Sequence, residues 1–130
     1  LAEVLEYKFD LGVRTRRAYN AGDKQELKNL ANNVYPMVAE RVEKLYRTLR
    51  EQYYIENKPN GFEIQDARFG GLVKRLTNCS EMLLDYCDEK LDRLEELEQK
   101  QYDYLDGTVE QVKGAFMENA YRDEVSVLKV

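Results

Sequence analysis

Between Leu27 and Tyr53, apolar residues return every three or four positions: Leu27, Leu30, Ala31, Val34, Val38, Val42, Leu45, Leu49 and Tyr53. That spacing keeps one face of a 3.6-residue helix apolar. A second stripe (Phe69, Leu72, Val73, Leu76, Cys79, Leu83, Tyr86, Cys87, Leu91, Leu94, Leu97) predicts a long helix over about residues 67–102. A shorter helix over about residues 2–20 carries Val4, Leu5, Leu11 and Tyr19, and Asn20-Ala21-Gly22 breaks it. A fourth, over about residues 108–117, runs through Val109, Val112 and Phe116 and is weakened by Gly114. Residues 125–130 are apolar and β-prone with no strand of their own to pair with, so residues 118–130 read as an extended or disordered tail.

The junctions are marked by residue chemistry. Asp23 with Glu26 forms a capping-box variant at the start of the second helix. Pro36 falls inside the stripe; it removes one backbone donor and kinks the helix near residues 32–36, while the stripe continues past it. Glu40/Lys44, Glu43/Arg47, Glu89/Arg93 and Glu96/Lys100 stand at the spacing of helix-supporting ion pairs. Lys58-Pro59 ends the second helix, because the residue before proline avoids the α region. Asn60-Gly61 is a turn pair. Asp66 is placed to cap the third helix. At 1.5 Å rise per residue each long helix spans about 50 Å, and the outer two about half that. The expected fold is therefore all-α: an antiparallel bundle with two long central helices and shorter first and fourth helices. The short helices cover one end. The other end is a two-helix hairpin whose stripe (Leu49, Tyr53, Phe69, Leu72) is half covered, as partner surfaces often are.

Length and charge narrow the function. One domain with a real core fits in 130 residues. Leu1 falls inside a helical pattern, which reads as a piece of a longer chain. The net charge of −5 argues against a nucleic-acid partner. No apolar run approaches the ~18 residues of a membrane span. Cys79 and Cys87, eight residues apart on one helix, are about 12 Å apart and too far to bridge. They read as small core residues with free thiols, which fits a reducing, cytoplasmic setting. The chain has no histidine, which removes the usual general base and metal ligand, and no cofactor is expected.

The candidate chemistry concentrates between the long helices. Phe62 and Ile64 are apolar residues in a polar loop. Gly70-Gly71 costs the third helix about 2 kcal/mol of propensity, a cost more readily accepted where another backbone or a ligand comes close. Glu63, Asp66 and Arg68 read as a cap and a surface ion pair. The Glu95-Glu96 and Glu98 run reads as a solvated face. The ten tyrosines, at helical spacing, read as core and interface more readily than as a sugar platform. The interface candidates are Asn57, Lys58, Phe62, Ile64, Asp66, Arg68, Phe69, Gly70 and Gly71. The alternative is that Phe62 and Ile64 fold back to cap the hairpin's own core.

Leu-Gly-Val-Arg-Thr-Arg (11–16), Ala-Gly-Asp-Lys (21–24) and above all Glu-Asn-Lys-Pro-Asn-Gly-Phe-Glu-Ile-Gln-Asp-Ala-Arg-Phe-Gly-Gly-Leu (56–72) resemble the C-terminal helical region of bacterial β-N-acetylhexosaminidases of glycoside hydrolase family 20. The resemblance covers about residues 1–101. It implies a parent enzyme that removes terminal N-acetylglucosamine or N-acetylgalactosamine, using the substrate's 2-acetamido group as nucleophile. It also implies an adjacent Asp-Glu pair on a TIM barrel N-terminal to this region. Asp88-Glu89 and Asp123-Glu124 lie outside the matched motif with no barrel strand before them, so no catalytic residue is carried over. The expectation is a single accessory domain over residues 1–130, inactive alone, packing on the catalytic barrel or on a second copy. A free-standing coiled-coil-like interaction module is the alternative.

Overall fold

Pro36 sets the character of the longest helical run. The computed structural model describes residues 1–58 and 60–99. In it, α1 (Ala2–Lys8), α2 (Leu11–Asn20) and α3 (Lys24–Asn29) precede a π-helical turn, Leu30–Val34. That turn runs directly into α4 (Tyr35–Glu56); α5 (Glu63–Cys87) and the short α6 (Glu95–Glu98) follow. No strand occurs among the described residues. In the π turn the Tyr35 N–H donates to Leu30 O, five residues back rather than four. With the ladder shifted by one, the carbonyl facing the donorless proline nitrogen belongs to Ala31. Ala31 is wholly buried, and Ser80 Oγ, reaching across from α5, donates to its carbonyl at 2.7 Å. The irregularity expected at Pro36 is thus absorbed by a π turn, and the neighbouring helix supplies the missing donor.

The long helices run antiparallel. Lys28 pairs with Asp88, Ser80 meets Ala31, Tyr46 meets Asp66 and Phe69, and Tyr53 meets Phe62. The core between them is built from Leu27, Leu30, Val38, Val42, Leu76, Leu83 and Cys87, with Val4, Leu11 and Ala18 from the first two helices. Thr15 is buried with them, its hydroxyl bonded to Leu11 O and to the Tyr35 hydroxyl.

Several boundaries differ from the sequence reading. The first helix is interrupted at Phe9–Asp10, because its halves serve different partners. Arg41 of α4 holds α1, donating to Glu3 O and Glu6 and lying over the Tyr7 ring, and Lys44 pairs with Glu3. Arg14 ties α2 to Glu26 of α3. Asp23 does cap α3, accepting from Glu26 N at 3.0 Å, but the Glu26 carboxylate turns to Arg14 and Asn29, so only half of the capping box forms.

The third helix starts at Glu63, four residues earlier than expected, and stops at Cys87. Glu89 adopts φ +62, while Glu89 N–H returns to Tyr86 O and Lys90 N–H to Asp85 O. This is a Schellman ending, with glutamate where glycine is usual. The chain then doubles back: Leu94 is buried, its N–H donates to the Tyr19 hydroxyl, and Glu96 pairs with Arg75. In a continuous helix those last two residues would stand about 31 Å apart. Of the residues in the expected i,i+4 pairs, Lys44 goes to Glu3, Glu89 to Lys24 and Glu96 to Arg75, all distant in sequence, while Arg93 goes to Glu95 two residues on.

Leu1–Leu97 forms one compact unit, and of the second, Glu98–Val130, only Glu98 and Gln99 are described. The helix expected over 108–117, the tail 118–130 and Pro59 lie outside the described residues. No described helix is long and apolar enough to cross a membrane.

Candidate interaction surface

At the tip of the α4–α5 hairpin the chain packs its aromatic residues around one phenylalanine. Phe62 is 2% exposed. Its ring centroid lies 4.9 Å from that of Tyr53, 5.4 Å from Tyr54 and 5.9 Å from Tyr46. Tyr46 also meets Phe69 at 5.7 Å. Such tilted ring pairs each contribute about 0.5–1.5 kcal/mol beyond their burial. The loop is fastened by its own polar groups. The Tyr53 hydroxyl donates to Asn60 O at 2.9 Å, and Gly61 N–H donates to Glu63 Oε2 at 2.9 Å. Gly61 sits at φ +97, a conformation glycine adopts freely.

Asp66 is in the first turn of α5 rather than at its cap, and accepts the Tyr46 hydroxyl at 2.8 Å. That hydrogen bond, followed by loss of solvent and the Asp66 charge, raises the Tyr46 pKa above its ordinary value. The first half of the motif is therefore used to close the hairpin. Phe62 is enclosed by the hairpin's own rings, Ile64 and Phe69 are half-buried, and Asn57, Lys58, Asp66 and Arg68 are exposed.

The second half has a different character. Gly70 is exposed, Gly71 half-exposed, and a Cβ built on either meets nothing within 4 Å. With exposed Ala67 and Lys74 they make a low, open strip along α5 at positions 67, 70, 71 and 74. Near the tip, Ile55 is 84% and Tyr54 43% exposed, and Arg50 lies over the Tyr54 ring. Sequence reading did not single out Ile55. Its place beside the stripe at the end of α4 was visible, but which face solvent reaches was not.

Among the described residues, no group of three or more Asp, Glu, Cys or His could hold a metal ion. Asp88-Glu89 is occupied at the end of α5, Asp88 by Lys28 and Glu89 by Lys24. A cleft lined by Thr15, Tyr35, Cys79, Met82 and Leu94 holds about 40 Å³. That is room for water, well short of the ~300 Å³ of a small-molecule pocket. The open groove along α4, about 610 Å³, sets Glu3, Glu40, Glu43 and Glu51 among Arg41, Lys44 and Arg47, and no aromatic face lines it. A sugar ring has nothing to stack on there. Burial raises the thiol pKa of Cys79 and of Cys87, and both cysteines are free, as expected of small core residues.

The family model of the glycoside hydrolase 20C C-terminal domain matches residues 1–117. The chain belongs to that family. No curated protein matches it. Membership gives the 56–72 motif its setting: in this C-terminal domain of glycoside hydrolase 20C it closes the far end of the long hairpin.

Proposed function

We propose that this chain is a non-catalytic helical domain of a β-N-acetylhexosaminidase, packing against the catalytic part of its own enzyme. The parent enzyme removes terminal N-acetylglucosamine or N-acetylgalactosamine. Membership of the glycoside hydrolase 20C C-terminal domain family carries this reading. The surface supports it: Asp66 accepts the Tyr46 hydroxyl, Asp88 and Glu89 pair with Lys28 and Lys24, and the open groove along α4 has no aromatic face for a sugar ring. The hairpin tip over 57–71 serves as a contact with the rest of the enzyme. Phe62 stiffens the tip from within, while Gly70 and Gly71 present its outer strip and Arg68 stands exposed beside them. A cytoplasmic setting is part of this reading, and the two free thiols, which fit a reducing compartment, support it.

The test is turnover by the full-length enzyme that contains this domain. Release of p-nitrophenol from the β-N-acetylglucosaminide or β-N-acetylgalactosaminide is expected. A full-length enzyme that hydrolyses neither, yet cleaves a β-glucoside lacking the acetamido group, would overturn the reading.

A further inference from the structure

We infer that the outer ridge of α1 and α2, formed by Leu1, Leu5, Phe9 and Val13, is the face against which the catalytic part of the same polypeptide packs. The inference rests on the reading above, and it names a surface that reading does not. The four residues recur at every fourth position and remain 72%, 48%, 87% and 47% exposed. Val4, Leu11 and Thr15 of the same stretch are buried, so the inner face of these helices is already used and the ridge is the outer one. Beside Phe9, a Cβ on exposed Gly12 would meet nothing within 4 Å, which leaves the backbone open to a close neighbour. Exposed Lys8 and Asp10 frame the ridge with opposite charges. An apolar strip with a charged edge is the usual make-up of an interface.

Size selects the occupant. Side chains of this kind carry on the order of 150–200 Å² each, so the exposed fractions sum to roughly 400 Å². A stable pair of separate proteins buries about 800 Å² per partner, somewhat over half of it apolar, so the ridge would have to supply nearly the whole apolar part of such a contact. Domains joined in one chain hold together across smaller interfaces, about 300–750 Å² per side, because the covalent link keeps the effective concentration high. The ridge fits a tethered neighbour better than a second copy. For a C-terminal domain, the tethered neighbour is the part of the polypeptide that precedes it.

Thiol labelling in the full-length enzyme tests this. Phe9→Cys and Val13→Cys are compared with Gln25→Cys, which lies at an exposed position of α3. Alkylation is read by peptide mass spectrometry under native conditions on the monomeric fraction. At least tenfold slower labelling at positions 9 and 13 than at 25 is expected. Equal rates would overturn the inference. Protection that appears only in a dimeric fraction and vanishes on dilution would also overturn it, assigning the ridge to a second copy. Hydrolysis of the p-nitrophenyl N-acetylglucosaminide and N-acetylgalactosaminide, measured on the same samples, separates the two claims. Protection without turnover of either sugar removes the hexosaminidase reading and leaves the docking face, whereas turnover with free labelling does the reverse.

Discussion

Ser80 shows how a single hydroxyl can hold an irregular helix in place. The π turn hands Pro36 a partner carbonyl, Ala31, that it cannot serve, and Ser80 Oγ serves it instead from the opposite helix. Removing that hydroxyl leaves a buried carbonyl unpaired. Ser80→Ala is therefore expected to lose about 1–3 kcal/mol, lowering the melting temperature by several degrees. Ser80→Thr, which keeps the hydroxyl, should recover part of the loss. A melting temperature unchanged in Ser80→Ala would show that water or a relaxed turn meets the carbonyl. Residue-level readings fared unevenly from sequence. Asp23 was legible as a cap because its partner N–H is three residues away. Asp66 was not, because its partner is the Tyr46 hydroxyl twenty residues off, and only the antiparallel pairing of the long helices brings them together. Lys44 was misassigned for the same reason: Glu3 of α1 takes the place of Glu40 on its own helix.

At the scale of elements, the two long helices, their kink region and the hairpin between them were legible because their stripes are long. What was not legible is where a stripe outlives its helix. Leu91, Leu94 and Leu97 continue the period of α5, yet Glu89 takes the left-handed conformation without a glycine to announce it, and Leu94 reaches the core from the returning chain. Nor could periodicity divide 2–20 at Phe9, since the bend is imposed by what each half packs against.

The hairpin tip combines both situations. Its closure by Phe62, Tyr53 and Gly61 is internal, and the open strip at Gly70 and Gly71 is left for a neighbour. Alanine at either glycine has room and should stabilise the domain by about 0.5–1 kcal/mol in a helix interior. In the full-length enzyme, Gly70→Ala with Gly71→Ala should raise the domain's melting temperature while raising KM or weakening its hold on the catalytic part. Gain of stability with KM and domain docking unchanged would remove the strip from the contact.

For the whole molecule, the fold class was legible from the pattern and the family from the 56–72 motif, with the family model extending over 1–117. The outer ridge of α1 and α2 was not legible. Both faces of the first helix carry apolar residues, and only packing shows that Val4 and Leu11 go inward while Leu5 and Phe9 stay out. The central claim is that this domain serves a hexosaminidase without performing its chemistry. Its most direct test is the turnover of residues 1–130 alone on p-nitrophenyl β-N-acetylglucosaminide, in a sample whose circular dichroism shows helix and a cooperative melt. The account predicts hydrolysis indistinguishable from buffer for this folded fragment, beside clear turnover by the full-length enzyme. Hydrolysis by the fragment well above buffer would contradict it.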